Sequence, residues 1–438
     1  MGLRALASAL ATTPGSASRL LKERAERRRE AWGAYRVFEP ERAVARRVDQ
    51  GAFRGQPLAG LPVSVKDLFG VSGFDVWAGS KRELPARFEA EGPLISALRR
   101  QGAPIMGKTH TVEFAFGGIG TNGHWNTPEN PRVPGHVPGG SSSGAPASLV
   151  EGSAAFALGS DTAGSVRIPA SFSGVVGFKP SNGRWSRAGM VPLSPTLDTA
   201  GLLTLSVDDA DFVVRGLEGA PIRGGDRSIA GLRLGRLSRH VWEDADPAVV
   251  DSVDAALARL ASAGAKVVDA KVPETGAALG LFRKGSVTAA ECHAFLATEL
   301  PRWLFELEPK VRSRVLAGAQ LSAVEYLRRR GRIERLRKRV RERALDGTIW
   351  VAPTTAQTAP RREDVESPED YGRLNLLALR NTSIANTLGW CALSLPCGAD
   401  GEGRPIGLMM MAPAGRDLEL LAAGRAVERV LGAADQVF

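Results

Sequence analysis

The sequence predicts an α/β fold built on a central sheet, and three observations carry that reading. Short apolar segments alternate with helix-like stretches, the pattern of strands covered by helices. Strand-like segments occur near both ends of the chain, so one sheet must draw on both, which argues for a single large domain over residues 1–438 and against a row of separable ones. The composition, 43% hydrophobic and 24% charged over 438 residues, is that of a globular chain and excludes disorder, collagen and coiled coils.

The elements follow in order. Residues 1–50 read as helical and polar, with a first helix ended by Pro14-Gly15. Leu61-Pro62-Val63-Ser64-Val65-Lys66 reads as a buried strand ending in a lysine, and residues 92–102 as a helix with Leu94 and Leu98 in phase. Pro104-Ile105-Met106 is a second short strand. Residues 117–144 are dense in Gly, Pro, Asn and Ser and read as loop. A short helix is expected over 145–151, with Pro146 tolerated in its first turn. Residues 154–158 read as a strand and 159–165 again as a Gly/Ser/Thr-rich loop. Residues 205–345 read as mostly helical, and strands return at 348–352, 391–395 and 406–411.

The formal charge of +10 invites a nucleic-acid or membrane-surface reading until it is located. Residues 328–343 carry +8 and residues 19–30 carry +3, which leaves the rest of the chain at −1. The charge is therefore two local helical runs. In the larger, Ile333, Leu336 and Val340 recur at helical spacing, which predicts a surface helix with one narrow buried seam and a solvated basic face. No aromatic is interleaved with the arginines, which argues against single-strand binding. No direct nucleic-acid contact is expected.

Cys292, Cys391 and Cys397 make neither a disulfide framework nor a metal-site spacing. The simplest setting is a reducing, cytoplasmic one. No apolar run reaches about 18 residues, so no membrane partner is expected. Met1 to Ala11 reads as a first helix in preference to a signal peptide.

Two Ser/Gly-rich loops flank the 145–158 helix–strand unit: Gly139-Gly140-Ser141-Ser142-Ser143-Gly144 and Gly159-Ser160-Asp161-Thr162-Ala163-Gly164-Ser165-Val166-Arg167. Small residues let backbone N–H groups crowd around a ligand atom, and a serine ending such a run has oxyanion donors beside its own hydroxyl. A serine needs a base. None of the five histidines, His110, His124, His136, His240 and His293, sits in a local motif; the other candidate is Lys66 at the end of its apolar strand. Gly140 to Gly144 also satisfies Gly-x-Ser-x-Gly, but a nucleophile elbow at Ser142 needs a preceding strand, and residues 131–138 contain three prolines.

Taken together, Lys66 in Gly-Leu-Pro-Val-Ser-Val-Lys-Asp, the Gly-Gly-Ser-Ser-Ser-Gly loop, and Ser165 placed 24 residues beyond Ser141 resemble the amidase signature family. Further matching stretches are Gly107-Lys108-Thr109, Glu113-Phe114-Ala115, Asn130-Pro131, residues 174–180, Leu197-Asp198-Thr199, residues 392–398 and residues 403–408. The resemblance implies a large mixed twisted β-sheet covered by helices on both sides, and a Ser–Ser–Lys triad. It implies Ser165 as nucleophile, Ser141 as the bridging serine after a cis Gly140–Ser141 peptide, and Lys66 as the base. Backbone N–H groups of Thr162, Ala163, Gly164 and Ser165 would form the oxyanion hole. Ser142, Asp161 and Arg167 would support the loops, and Phe116 and Gly117 would line the acyl pocket; the alternative for Phe116 is a core side chain. No metal and no organic cofactor is implied.

A lysine base must be neutral near pH 7. A free lysine titrates near about 10.4, so burial must lower it by about 3, at a cost of about 4 kcal/mol. Asp67 would oppose this if it pointed inward, but neighbours on a strand face opposite sides. The sequence departs from the family at Ala163, which replaces a common glycine yet keeps its N–H, and at Pro146 and Val150 after the first loop. Residues 220–345 match no family motif and form a mostly helical, variable segment where specificity would be set. The expected activity is hydrolysis of a small-molecule carboxamide through an acyl-enzyme, with a homodimer left open. Two alternatives remain: a glutaminase-type subunit of a tRNA-dependent amidotransferase, and a catalytically silent protein binding an anionic polymer through residues 328–343.

Overall fold

The computed structural model describes residues 2–222, 227–285, 287–343 and 346–433. Its strands are β1 (Tyr35–Phe38), β2 (Val63–Lys66), β3 (Ile105–Thr109), β4 (Phe156–Asp161), β5 (Val176–Lys179) and β6 (Thr199–Thr204) in the first half. The second half adds β7 (Arg233–Leu237), β8 (Lys266–Ala270), β9 (Ile349–Pro353), β10 (Cys391–Ala399) and β11 (Pro405–Ala412). All join one mixed sheet in the order β1-β3-β2-β4-β6-β5-β10-β11-β9-β7-β8. The halves meet where β5 pairs antiparallel with β10, Phe178 opposite Leu393.

Alternation along the strands explains why both faces are covered. Leu408 and Met410 of β11 and Ile349 and Val351 of β9 pack with Val253 and Leu420 from the helices Pro247–Ser262 and Asp417–Leu431. Their neighbours Met409, Met411, Trp350 and Ala352 pack on the other face with Leu336 and Ile384, from the helices Ala323–Arg343 and Pro368–Leu388. Strands buried on both faces read as continuous apolar runs, which is why β9, β10 and β11 were visible in the sequence.

The expected helix over 92–102 is Pro93–Gln101, that over 145–151 is Gly144–Val150, and the first helix, Leu3–Thr12, stops before Pro14. Other expectations are corrected. Residues 1–50 are not all helical, because β1 forms a sheet edge antiparallel to β3. The segment 220–345 is mostly helical, as expected, but it also adds two strands to the sheet: β7 and β8 run parallel toward the opposite edge. In β7 only Leu234, Gly235 and Leu237 are buried, and Arg233 and Arg236 reach solvent, so its pattern resembled a polar helix face. The strand expected at 154–158 is displaced to Phe156–Asp161, because Ser160 and Asp161 pair with Ala200 and Thr199 of β6.

The basic run lies on the helix Ala323–Arg343, and its seam is as expected: Ile333, Leu336 and Val340 are buried. Two of its arginines serve the fold. Arg329 donates to the Lys284 and Gly285 carbonyls, and Arg337 to those of Thr196, Asn386 and Thr387. No helix among the described residues is long and apolar enough to cross a membrane.

Candidate active site

β2 ends at Lys66, which is fully buried. Its Nζ lies 2.7 Å from Ser141 Oγ and 2.9 Å from Ser160 Oγ. Asp67 faces the other way, as strand alternation predicted, and pairs with Lys108 at 2.9 Å and Arg36 at 3.0 Å. Burial lowers the Lys66 pKa from 10.5 to about 7, with Asp161 and Asp198 opposing the drop. Near neutral pH this amine can therefore hold or release a proton.

Ser141 sits in the first loop, with a cis peptide at Gly140–Ser141. Its carbonyl accepts the Val112 N–H at 3.2 Å. Ser142 ties the two loops together: its N–H donates to the Ser165 carbonyl at 3.1 Å and its Oγ to the Ser160 carbonyl at 3.3 Å. No strand precedes Ser142, so the elbow geometry is absent there. The nearby histidine, His110, pairs its Nδ1 with Ser143 Oγ at 2.8 Å, and burial holds its pKa down at about 3.

The second loop is organised around Asp161. Its carboxylate accepts from Gly164 N–H at 2.8 Å, Val166 N–H at 3.2 Å and Asn386 Nδ2 at 2.9 Å. Arg167, also fully buried, adds Nη2 at 2.9 Å and Nε at 3.1 Å. Burial alone would raise the Asp161 pKa; the Arg167 guanidinium overrides it and holds the carboxyl at about 2. Gly164 has φ +137°, and a Cβ there would collide with Thr382, so this position requires glycine.

This arrangement alters one expectation. The Gly164 N–H is taken by Asp161, so Gly164 supplies conformation and not a free oxyanion donor. Among the described residues, the N–H groups of Thr162, Ala163 and Ser165 donate to no protein acceptor. Thr162 is steadied through its Oγ1, 2.5 Å from Asp198, whose carboxyl burial raises to about 6.

Ser165, Thr162, Ala163, Phe116 and Gly117 all line one cavity of about 450 Å³. Phe116 is thus a wall residue and not merely core. The opposite wall comes from helices within 273–343 and from the helix Pro368–Leu388. Among the described residues, no group of three His, Cys, Asp or Glu is placed to hold a metal ion.

Several contributors escaped the sequence reading. Ser160 was assigned to a loop, yet its place on β4 puts it against Lys66. Asn375, Thr382 and Asn386 form a buried polar stripe on the helix Pro368–Leu388. They bind Gly118 N–H at 2.7 Å, the Ala163 carbonyl at 2.6 Å and Asp161 respectively. Their helical spacing on an otherwise apolar face was the available signal.

The Asp161–Arg167 pair carries a stability prediction. Arg167→Met leaves the Asp161 carboxylate buried without its cation, which is expected to destabilise the fold by roughly 3–5 kcal/mol. Urea unfolding at neutral pH measures it; a change below about 1 kcal/mol would count against the pair as a brace.

A buried lysine against a serine, beside a loop with unused backbone N–H groups, can activate a serine hydroxyl and hold an oxyanion, the requirements of acyl transfer. The amidase family profile matches residues 18–421, and the chain belongs to the amidase family. It is 45% identical over 411 residues to the 2-amino-5-chloromuconic acid deaminase of Comamonas testosteroni, covering 92% of this chain and 88% of the relative. It is 33% identical to the indoleacetamide hydrolase of Pseudomonas savastanoi, covering 87% and 86% of the two chains. A solved structure described as the crystal structure of amidase superposes with a TM-score of 0.84 at 30% identity, over 99% of this chain and all of that one. The protein is an amidohydrolase.

Proposed function

We propose that this chain hydrolyses a small carboxamide through an acyl-enzyme on Ser165, with Ser141 and Lys66 relaying the proton. The observation that carries the reading is the buried Lys66 Nζ, 2.7 Å from Ser141 Oγ with its pKa lowered to about 7. Ser165 Oγ attacks the amide carbon, and its proton passes through Ser141 to neutral Lys66. The developing oxyanion faces the N–H groups of Thr162, Ala163 and Ser165, which have no other acceptor among the described residues. Lys66 then returns the proton through Ser141 to the departing nitrogen. Water repeats the sequence on the ester, releasing the carboxylate and restoring Ser165. No step draws on a metal or organic cofactor.

Relatives bound the substrate class without naming it. The name of the 45% identical relative specifies an acid and loss of an amino group, and that of the 33% identical relative specifies an acetamide. Cleavage of a carbon–nitrogen bond in a small organic molecule is the common ground, and the acyl-enzyme reading favours an amide. The three cysteines are free and buried, which supports a reducing, cytoplasmic setting.

A panel of aliphatic, aryl and urea-derived amides and glutamine, assayed as ammonia release, tests the proposal. Release from at least one small amide by the isolated chain is expected. Silence on all of them, with activity on glutamine only after partner subunits are added, would favour the amidotransferase reading instead.

A further inference from the structure

The cavity that receives the Ser165 hydroxyl has an unbalanced charge. Among the described residues lining it, three are basic, Lys284, Arg314 and Arg329, and none is an aspartate or glutamate. The three are not equivalent. Arg329 is neutralised by Glu325, with Nε 2.8 Å from the carboxylate, and Lys284 is exposed at the rim. Arg314 is half-buried, on the helix Pro309–Gly318, and among the described residues it forms no ion pair.

Its guanidinium is nonetheless held firmly. Nε donates to the Lys310 carbonyl at 2.9 Å, and Nη2 donates to the Phe116 carbonyl and reaches Tyr371 Oη at 3.4 Å. Its Cζ lies over the rings of Phe116 and Tyr371, 4.8 and 5.3 Å from their centroids. Nη1 has no hydrogen-bond partner among the described residues. A half-buried guanidinium, held over two aromatic rings and left with unused N–H groups, is arranged to receive a carboxylate.

We propose that Arg314 anchors an ionised carboxyl group on the substrate, so that the substrate class is an amide whose acyl part also carries a carboxylate. In a primary amide the leaving group is ammonia, so the acyl part is what fills the cavity. The proposal rests on the reading that Ser165 is the nucleophile of this cavity. Arg314 lies in the mostly helical segment 220–345, which supplies much of the cavity lining.

The test uses malonamate, succinamate and glutaramate, each paired with a neutral amide in which an isopropyl group replaces the carboxylate. Ammonia release is measured for the wild type, Arg314→Met, Arg314→Gln and Arg314→Lys. At one chain length the anionic member is expected to have the higher kcat/KM by at least about tenfold, with the difference mainly in KM. Arg314→Met and Arg314→Gln should erase the preference, and Arg314→Lys should keep part of it. Undiminished fluorophosphonate labelling of Ser165 shows that a variant remains folded. A wild type that prefers the neutral member at every length overturns the proposal. So does an equal loss on both members in Arg314→Met and Arg314→Gln, which would make Arg314 only a brace for Phe116. Calorimetric binding of the same half-amides to Ser165→Ala separates the two readings. Arg314-dependent binding without Ser165-dependent hydrolysis keeps the anchor and removes the nucleophile; charge-indifferent but Ser165-dependent hydrolysis does the reverse.

Discussion

Ser165→Ala is expected to abolish labelling by a fluorophosphonate and to lower amide hydrolysis by at least about 10⁴-fold. Three serines compete for the nucleophile's role, and their surroundings separate them. Ser141 Oγ is committed to Lys66, and Ser142 Oγ to the Ser160 carbonyl; neither lines the cavity. Ser165 does, at the end of a loop with unused N–H donors. The substitution removes one hydroxyl and leaves the Ser165 carbonyl free to accept from Ser142, so folding should be unaffected. Mass spectrometry of the labelled chain decides the matter: a label found on Ser141 or Ser142 in this variant would sink the assignment.

Lys66→Met is expected to slow acylation by about 10²- to 10⁴-fold, the range of a lost general base. The pH profile is the sharper readout. Only the neutral amine accepts a proton, and burial lowers the Lys66 pKa to about 7. The acylation rate should therefore rise as pH increases through about 7 and level off above it. Stability should follow the same group. The unfolded chain keeps its lysine protonated up to about 10.4, so between that value and about 7 the unfolded state binds more protons. Folding stability contributed by Lys66 therefore increases with pH across this window and is lowest below it. Methionine has no charge to bury, so this slope should vanish in the variant. A rate flat from pH 5.5 to 8, or near-wild-type turnover in Lys66→Met, would point to a different base.

The charge that first suggested a nucleic-acid or membrane partner has a narrower meaning in the folded chain. Much of it lies on the helix Ala323–Arg343, whose buried seam closes the second core cluster. Two of its arginines are spent on backbone carbonyls of neighbouring segments.

How much was legible depended on whether the relevant physics is local. Lys66, Ser141 and Ser165 were identifiable because each ends or interrupts a short, distinctive run. The central strands β9 to β11 were identifiable because burial on both faces leaves a continuous apolar signature. The edge strands β1 and β8, and β7 beside β8, were not, since half-exposed segments of four or five residues alternate too weakly to be told from a helix face.

The family, the nature of the chemistry and the three residues proposed to carry it follow from local motifs, whose spacing along the chain is all that recognition requires. The Ser160 contact with Lys66, the bond from Asn386 to Asp161, and the unpaired Arg314 facing the cavity were decided by the tertiary structure. Asn386 and Asp161 are 225 positions apart, and Arg314 and Phe116 are 198 apart. Residues so distant interact only once the sheet has joined the two halves of the chain, and no local pattern records which of them will then share a hydrogen bond or a charge.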